Sequence, residues 1–566
     1  MVKEANLRAF HRDDEYERAV INSSLWAAAG DALGWITELS RGQDGVRYRT
    51  GKKRVTVPVA WQRMIGGRGG VRVDLPAGTY SDDTQLRLSV SRSIRGNGTF
   101  DVETFAKIEV TAWQGYGLGA GLGSKAAAAN LSKRGINWFS NFFRSERQSY
   151  TNAGGNGAAM RIQPHVWGAA GSHPEMIRQV FRDAIVTHGH PHGFCGAVFH
   201  ALCLWDTLAS RSIPSIKRAR DFVSLLDNLP RIVEEDAELG QFWLPSWERE
   251  ASKSFPNAIR DFQKDALADM QIADDTMIAG RTAQSYPMLL DRIGCLSDKF
   301  RGSGFKTSLA ALALSSLYAD RPIEDALVVS ANELESDTDT IATMAGALLG
   351  AVSDRPPAWE IQDQVYIEEE ARRLARIRLG RDQSTFSYPD VSSWEPPASQ
   401  SDAVVRYKDG LALVGLGPLV PRSREYKAGN AVWQWFELPF GQTILAKRRV
   451  ENTTLVSGDQ MPGQSRMSTR SAARNDMDTQ QDSFAFDQKN APTDNRERPS
   501  SASASAPGKG FPGLNEATDM VIASGFDDAT LGRIIKQCID ETGSIDLTVS
   551  LSAIIAKARL ARMRRR

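Results

Sequence analysis

Cysteine is scarce, four in 566 residues, which excludes a disulfide scaffold and fits a reducing compartment. Charge of one sign is lacking too. Sixty-nine Lys and Arg offset 68 Asp and Glu, leaving a formal net charge of +1. That balance excludes a global electrostatic grip on nucleic acid or on an anionic membrane. No apolar run of about 20 residues occurs, so no membrane-spanning helix is expected. The charged stretch Met1 to Arg18 has no apolar core of the kind a secretory signal needs. What is there is ordinary: 41% apolar and 24% charged residues, enough for a core that needs no disulfides. The expectation is a cytoplasmic chain of several units, about four by length alone.

Hydrophobic periodicity sets the organisation. Leu309, Leu312, Ala313 and Ser316 fall at helical spacing, and so do Ile341, Met344, Ala345, Leu348 and Leu349. Residues 1–395 therefore read as one mostly helical unit. Val46 to Val73 differs, with β-branched runs around Gly66-Gly67-Arg68-Gly69-Gly70, and reads as an excursion between helices. Pro389 and Pro396-Pro397 break the pattern. Val404 to Lys408 and Leu411 to Val414 then flank Asp409-Gly410, which predicts a hairpin with a type I′ turn. With strands from Val432 and from Thr443, this makes a small β unit over 400–452. Residues 453–512 are rich in Ser, Asp, Gln and Pro and read as a disordered linker. Residues 513–566 turn helical again, with the stripes Leu531, Ile534, Ile535, Cys538, Ile539 and Leu551, Ile554, Ile555, Ala558.

Two acidic clusters carry the chemistry: Ser81-Asp82-Asp83-Thr84 and Asp337-Thr338-Asp339-Thr340, each just before a helical pattern. Such residues cap helices and suit the positive end of the helix dipole. Four carboxylates exceed that need, because each helix start has only four free N–H groups. If the two clusters converge, their charges repel unless a cation sits among them. Hard oxygen donors of this kind select Mg²⁺, Ca²⁺ or Mn²⁺. Glu38 follows Asp31 by seven residues, two helical turns, so both can face one way. The loop Asn152 to Arg161 is glycine-rich and could bring backbone N–H groups close to phosphates. Four of the seven histidines lie at 188, 190, 192 and 200. Their spacing, with Cys195, matches no closed zinc pattern, so a zinc site is discounted.

In this order, Gly30-Asp31-Ala32-Leu33-Gly34 with Glu38, Ser81-Asp82-Asp83-Thr84-Gln85, Gly155-Asn156-Gly157-Ala158-Ala159-Met160-Arg161, Thr187-His188 and Asp337-Thr338-Asp339-Thr340-Ile341-Ala342 resemble the ADP-ribosylglycohydrolase family. The resemblance covers about residues 15–390 and says nothing of the rest. It implies a mainly α fold, an all-helical globule carrying the small C-terminal β unit and the terminal helical segment as additions. It implies a dinuclear centre of two Mg²⁺ ions, with Mn²⁺ as the alternative. One ion would be held by Ser81, Asp82 and Asp83, the other by Asp337 and Thr340, with Asp339 bridging. Glu38 or Asp83 would serve as acid/base, while Gly155, Asn156, Gly157 and Ala158 would hold the diphosphate and ribose, near His188. The implied partners are ADP-ribose and an ADP-ribosylated protein. Two departures stand out. Ser81 replaces the usual Thr, and Glu335-Ser336 replace the usual Gly-Gly, where they could narrow the approach and add a carboxylate.

Three functions compete on this reading: removal of ADP-ribose from a modified target, non-catalytic binding of ADP-ribose, and a different two-metal hydrolase such as a phosphoesterase. The C-terminal part could select a partner. Its basic tail, Lys557 to Arg566, is the one place that could touch nucleic acid, an acidic protein or a membrane surface, although a solvated helix end with cations at its negative dipole end is the favoured reading.

Overall fold

The computed structural model describes residues 13–169, 173–280, 282, 284–451, 454–463, 511–542 and 545–563. The expected linker at 453–512 lies mostly outside the described residues, as does the Arg564–Arg566 end of the basic tail. The chain forms two compact units, Met1–Arg470 and Ser471–Arg566.

In the first unit, helix Asp13–Gly34 crosses helix Thr338–Ala351 at close range. Small residues permit it. A Cβ on Gly30 would run into the carbonyl oxygen of Ala342, well inside van der Waals contact, so only glycine fits. Ser23 Oγ donates to Ala347 O at 2.7 Å, and Thr338 Oγ1 donates to Gly34 O at 2.9 Å. This crossing carries the end of the first helix, with Asp31, to the start of the helix holding Asp339. Helix Asp82–Ser93 is buried along its whole length beside them. Helices Pro191–Ser210 and Gly304–Leu317 pack together in the core. Among the described helices, Pro191–Ser210 is long and apolar enough to cross a membrane, but most of it is buried inside this core.

The excursion turns out to be part helix, part hairpin. Val46 belongs to a short helix, Gly42–Thr50, in which it is the buried residue. Strands Trp61–Ile65 and Val71–Leu75 then pair antiparallel, Trp61 opposite Leu75 and Ile65 opposite Val71. Period-2 reasoning could not place the helix, because its remaining residues are polar and its one apolar contact is tertiary.

The expected β strands form. Val404–Tyr407 pairs with Gly410–Leu413, Tyr407 opposite Gly410. The turn is therefore Lys408-Asp409, one residue earlier than the sequence suggested. Of the two, Lys408 alone has a positive φ, 50°, so this is no type I′ turn, which needs both central residues left-handed. A second sheet places Ala431–Glu437 between Val420–Pro421 and Tyr426–Ala428 on one side and Thr443–Arg449 on the other. These strands share the core with the helices. Lys447 N–H donates to Gly115 O at 2.8 Å, and Arg92 Nη1 donates to Gln442 Oε1 at 2.8 Å.

Among its described residues the second unit has three helices, Leu514–Ala523, Asp528–Thr542 and Ile545–Met563. Val521, Phe526, Ile534, Cys538, Leu551 and Ile555 meet in its small core. Ile539 and Ile554, on the same sequence stripes, are exposed.

Candidate active site

The first question is what the acidic clusters are occupied with. At the start of helix Asp82–Ser93, Ser81 Oγ accepts the Asp83 N–H at 3.3 Å. Asp31, from helix Asp13–Gly34, accepts the N–H groups of Ser81 and Thr84, both at 2.9 Å. Capping is thus done by Ser81 and by a carboxylate some fifty residues away. Asp82 and Asp83 are left over. At the second cluster, Asp337 sits at the N-cap position with no side-chain capping bond. Its Oδ2 instead accepts Asn156 Nδ2 at 3.1 Å. Asp339 Oδ1 accepts the Thr340 N–H at 2.9 Å.

The clusters do converge. Thr340 Oγ1 donates to Asp83 Oδ1 at 3.3 Å, and Asp83 Oδ2 is buried without a partner. Burial pushes Asp82 well above the usual carboxylate range, with the charges of Glu38 and Asp31 adding to it. Asp83 is pushed up by burial and then by Asp31 and Asp82. Asp339 is pushed up by burial and then by Glu38, Asp337 and Asp83. Such a set is stable as anions only beside positive charge. Among the described residues, no three His, Cys, Asp or Glu side chains stand close enough to enclose an ion. The donor chemistry nonetheless fits a hard divalent cation: carboxylate and hydroxyl oxygens, one of them an orphan.

Glu38 stands at the same place. Burial raises its carboxyl, Arg63 opposes this, and Asp337 reinforces it. Arg63 Nη2 lies 3.4 Å from Glu38 Oε2. Arg49 Nη1 donates to the carbonyls of Ile36 and Glu38 at 2.8 and 2.7 Å, fixing the turn. The next residue, Leu39, has φ 54°, a costly value for a non-glycine residue.

These groups open onto a cavity of about 600 Å³. Glu38, Asp82, Asp83, Asp337, Asp339 and Thr340 line it together with Gly155, Asn156, Gly157 and His188. Ser81 and Ala158 do not line it: both are fully buried behind the wall. The Asn156 N–H is bonded to Gly302 O at 2.8 Å, so the loop is tied to the stretch before helix Gly304–Leu317. Arg161 holds the loop from behind, donating to Gly157 O and to Asp183 Oδ1, both at 2.8 Å. Burial would raise Asp183, but Arg161 and His165 outweigh it and hold the carboxyl below its usual range. Burial, helped by the Arg161 charge, pushes the His188 imidazole down to about 3, so it is neutral. Thr187 Oγ1 lies 2.7 Å from its Nδ1. Glu335 is exposed and away from the cavity wall, and Ser336 turns inward to donate to Glu333 O at 2.7 Å. The Glu335-Ser336 departure therefore adds no carboxylate to the wall.

The periodicities above missed Asp31 as a cap, and missed Arg49 and Arg63 entirely. Their contacts join segments far apart in sequence, and no local spacing announces them.

A helical globule in which the carboxylates of two helix starts share one cavity with a glycine-rich loop suits a hydrolase. The chain belongs to the ADP-ribosylglycohydrolase family, whose sequence profile matches residues 12–384. It is 26% identical over 386 residues to ADP-ribosylhydrolase ARH3 of Xenopus tropicalis, which spans 64% of this chain and 97% of that one. It is 30% identical over 178 residues to the ADP-ribosyl-[dinitrogen reductase] glycohydrolase of Rhodospirillum rubrum, 31% of this chain and 53% of that one. A solved ADP-ribosylglycohydrolase-related protein complex aligns at 20% identity with a TM-score of 0.38, covering 64% of this chain and 99% of that one.

Proposed function

We propose that the cavity releases ADP-ribose from a modified protein side chain by cleaving the bond at C1″ of the ribose, with divalent cations bound among the acidic clusters. The observation that carries this reading is that Ser81 and Asp31 do the capping, which leaves Asp82 and Asp83 uncommitted and buried. Asp82 and Asp83 on one side, and Asp337, Asp339 and Thr340 on the other, would hold Mg²⁺ or Mn²⁺. Ser81, its hydroxyl spent on capping, contributes least. Bound there, the ions supply charge neutralisation and acidify water.

The chain's own residues do the rest. Cleavage develops oxocarbenium character at C1″, and buried carboxylates around the ribose stabilise that positive charge. A water attacks C1″ as the bond to the target breaks; Glu38 takes the water's proton, and the departing nitrogen or oxygen keeps the bonding pair and is protonated in turn by Glu38 or by solvent. Burial raises the Glu38 carboxyl, and a raised carboxylate is the stronger base. Asp83, the second candidate base, shares the same burial but is already bonded to Thr340. The neutral imidazole of His188 offers a hydrogen bond without adding charge beside the diphosphate. The relatives' names fit the same substrate class: one acts on dinitrogen reductase carrying ADP-ribose.

Product identity tests the proposal. Incubation with arginine- and serine-ADP-ribosylated proteins should release intact ADP-ribose from one of them. Release of AMP or inorganic phosphate would favour a phosphoesterase, and tight ADP-ribose binding without release would favour a reader.

A further inference from the structure

The family match ends at residue 384, and the β strands from Val404 onward lie beyond it. Those strands nevertheless reach the residue proposed to move the proton. The connection runs through the hairpin Trp61–Ile65 and Val71–Leu75.

On its inner side the hairpin presents Arg63 to Glu38, with Nη2 to Oε2 at 3.4 Å. The guanidinium is not loose. Its centre lies 5.1 Å from the Trp35 ring and 5.9 Å from the Trp61 ring, and those two indoles meet edge to face at 5.1 Å. Stacking of this kind fixes a guanidinium plane before it pairs. On its outer side the hairpin is pinned by the β strands. Asp74 Oδ2 accepts Tyr426 Oη at 3.1 Å and Arg424 Nη2 at 3.2 Å, and Asp74 O accepts Trp435 Nε1 at 3.1 Å. Gln62 Nε2 donates to Asp74 Oδ1 at 2.6 Å, tying the residue before Arg63 to the same anchor. At the hairpin tip the Trp433 indole lies on Gly66, where a Cβ would come within 2.8 Å of Cζ2 and where φ is 90°.

From these contacts we infer that Arg63 is a positioning residue for Glu38, and that the C-terminal β strands act on the site by holding the Arg63 hairpin in place. The inference rests on the proposed role of Glu38. The strands added beyond the family match are then a working part of the active site. They set where the Glu38 carboxylate points, because Asp74 and its partners at 424, 426 and 435 hydrogen-bond the outer face of the hairpin to the β strands.

The test uses the full chain. Arg63→Ala should lower kcat for ADP-ribose release about tenfold with KM within about twofold, the pattern of a misplaced group rather than lost binding. Arg63→Lys should recover part of the loss. Asp74→Ala, remote from the cavity, should lower kcat in the same direction, and the double variant should be no worse than Arg63→Ala alone. Wild-type kcat in a folded Asp74→Ala protein, or losses that multiply in the double variant, would overturn the inference. A second readout needs no turnover. The denaturation midpoints of Arg63→Ala, Glu38→Gln and their double should be non-additive, and additivity overturns the pairing. If the wild type releases no ADP-ribose, the proposed function fails, and this stability cycle alone decides the Arg63–Glu38 pair.

Discussion

Asp83→Asn and Asp31→Ala should move stability in opposite directions, although both remove a buried carboxylate at one helix start. Asp31 accepts two buried N–H groups, those of Ser81 and Thr84. Deleting it orphans both donors. Each orphan costs about 1–3 kcal/mol, and relief of repulsion on Asp82 and Asp83 returns part of that, so the net loss is about 2–4 kcal/mol. Asp83 caps nothing. Its Oδ1 accepts Thr340 Oγ1, its Oδ2 has no partner, and burial and like charges push its carboxyl well up. Asparagine keeps the shape and the acceptor and drops the charge, so stability without divalent ion should rise by about 1–3 kcal/mol. Urea denaturation at pH 7 in EDTA measures both. Adding Mg²⁺ should then stabilise the wild type, by about 2.7 kcal/mol at a hundredfold excess over Kd, and leave Asp83→Asn unmoved. A loss of stability in Asp83→Asn as large as that in Asp31→Ala would return Asp83 to the role of a cap and refute the reasoning.

Two further outcomes concern the frame around the site. Arg92 and Glu109 form a fully buried ion pair at 2.7 Å, and Arg92 also reaches Gln442. Arg92→Met takes from buried Glu109 its only cationic partner among the described residues and leaves it Tyr388 Oη, which should cost about 3–5 kcal/mol in denaturant titrations. Burial pushes the His200 imidazole from 6.5 down to about 3. Between those values the unfolded chain holds a proton that the folded one lacks, so stability falls as pH falls. His200→Gln should flatten the stability–pH curve between pH 6 and 4 by up to about 1.4 kcal/mol per unit, read from urea midpoints; a curve parallel to wild type would contradict it.

Much of the site could be read from sequence because its acids are crowded at two helix starts. Asp82, Asp83, Asp337 and Asp339 exceed what capping uses, and that excess is a local count. What could not be read is who does the capping. Asp31 reaches Ser81 and Thr84 only when helix Asp13–Gly34 is laid beside the start of helix Asp82–Ser93, which is a tertiary fact. Arg63 was hidden for the same reason: its partner is 25 residues away and its anchor, through Asp74, over 350. Helical periodicity found the long helices, since a 14-residue stretch such as Thr338–Ala351 repeats its signal. It missed the nine-residue Gly42–Thr50, which buries one side chain. The β strands were legible as strands. Their embedding in the helical core was not, because Gln442 and Lys447 look like surface residues until Arg92 and Gly115 are placed beside them.

The central claim is that uncommitted carboxylates form a cation-dependent hydrolytic centre. Its most direct test is the rate of ADP-ribose release from an ADP-ribosylated protein, with Mg²⁺ and with EDTA, for wild type and Asp339→Ala. The account predicts turnover in Mg²⁺ that EDTA abolishes and that Asp339→Ala reduces by at least about a hundredfold. Equal release in EDTA, or full activity in Asp339→Ala, would contradict it.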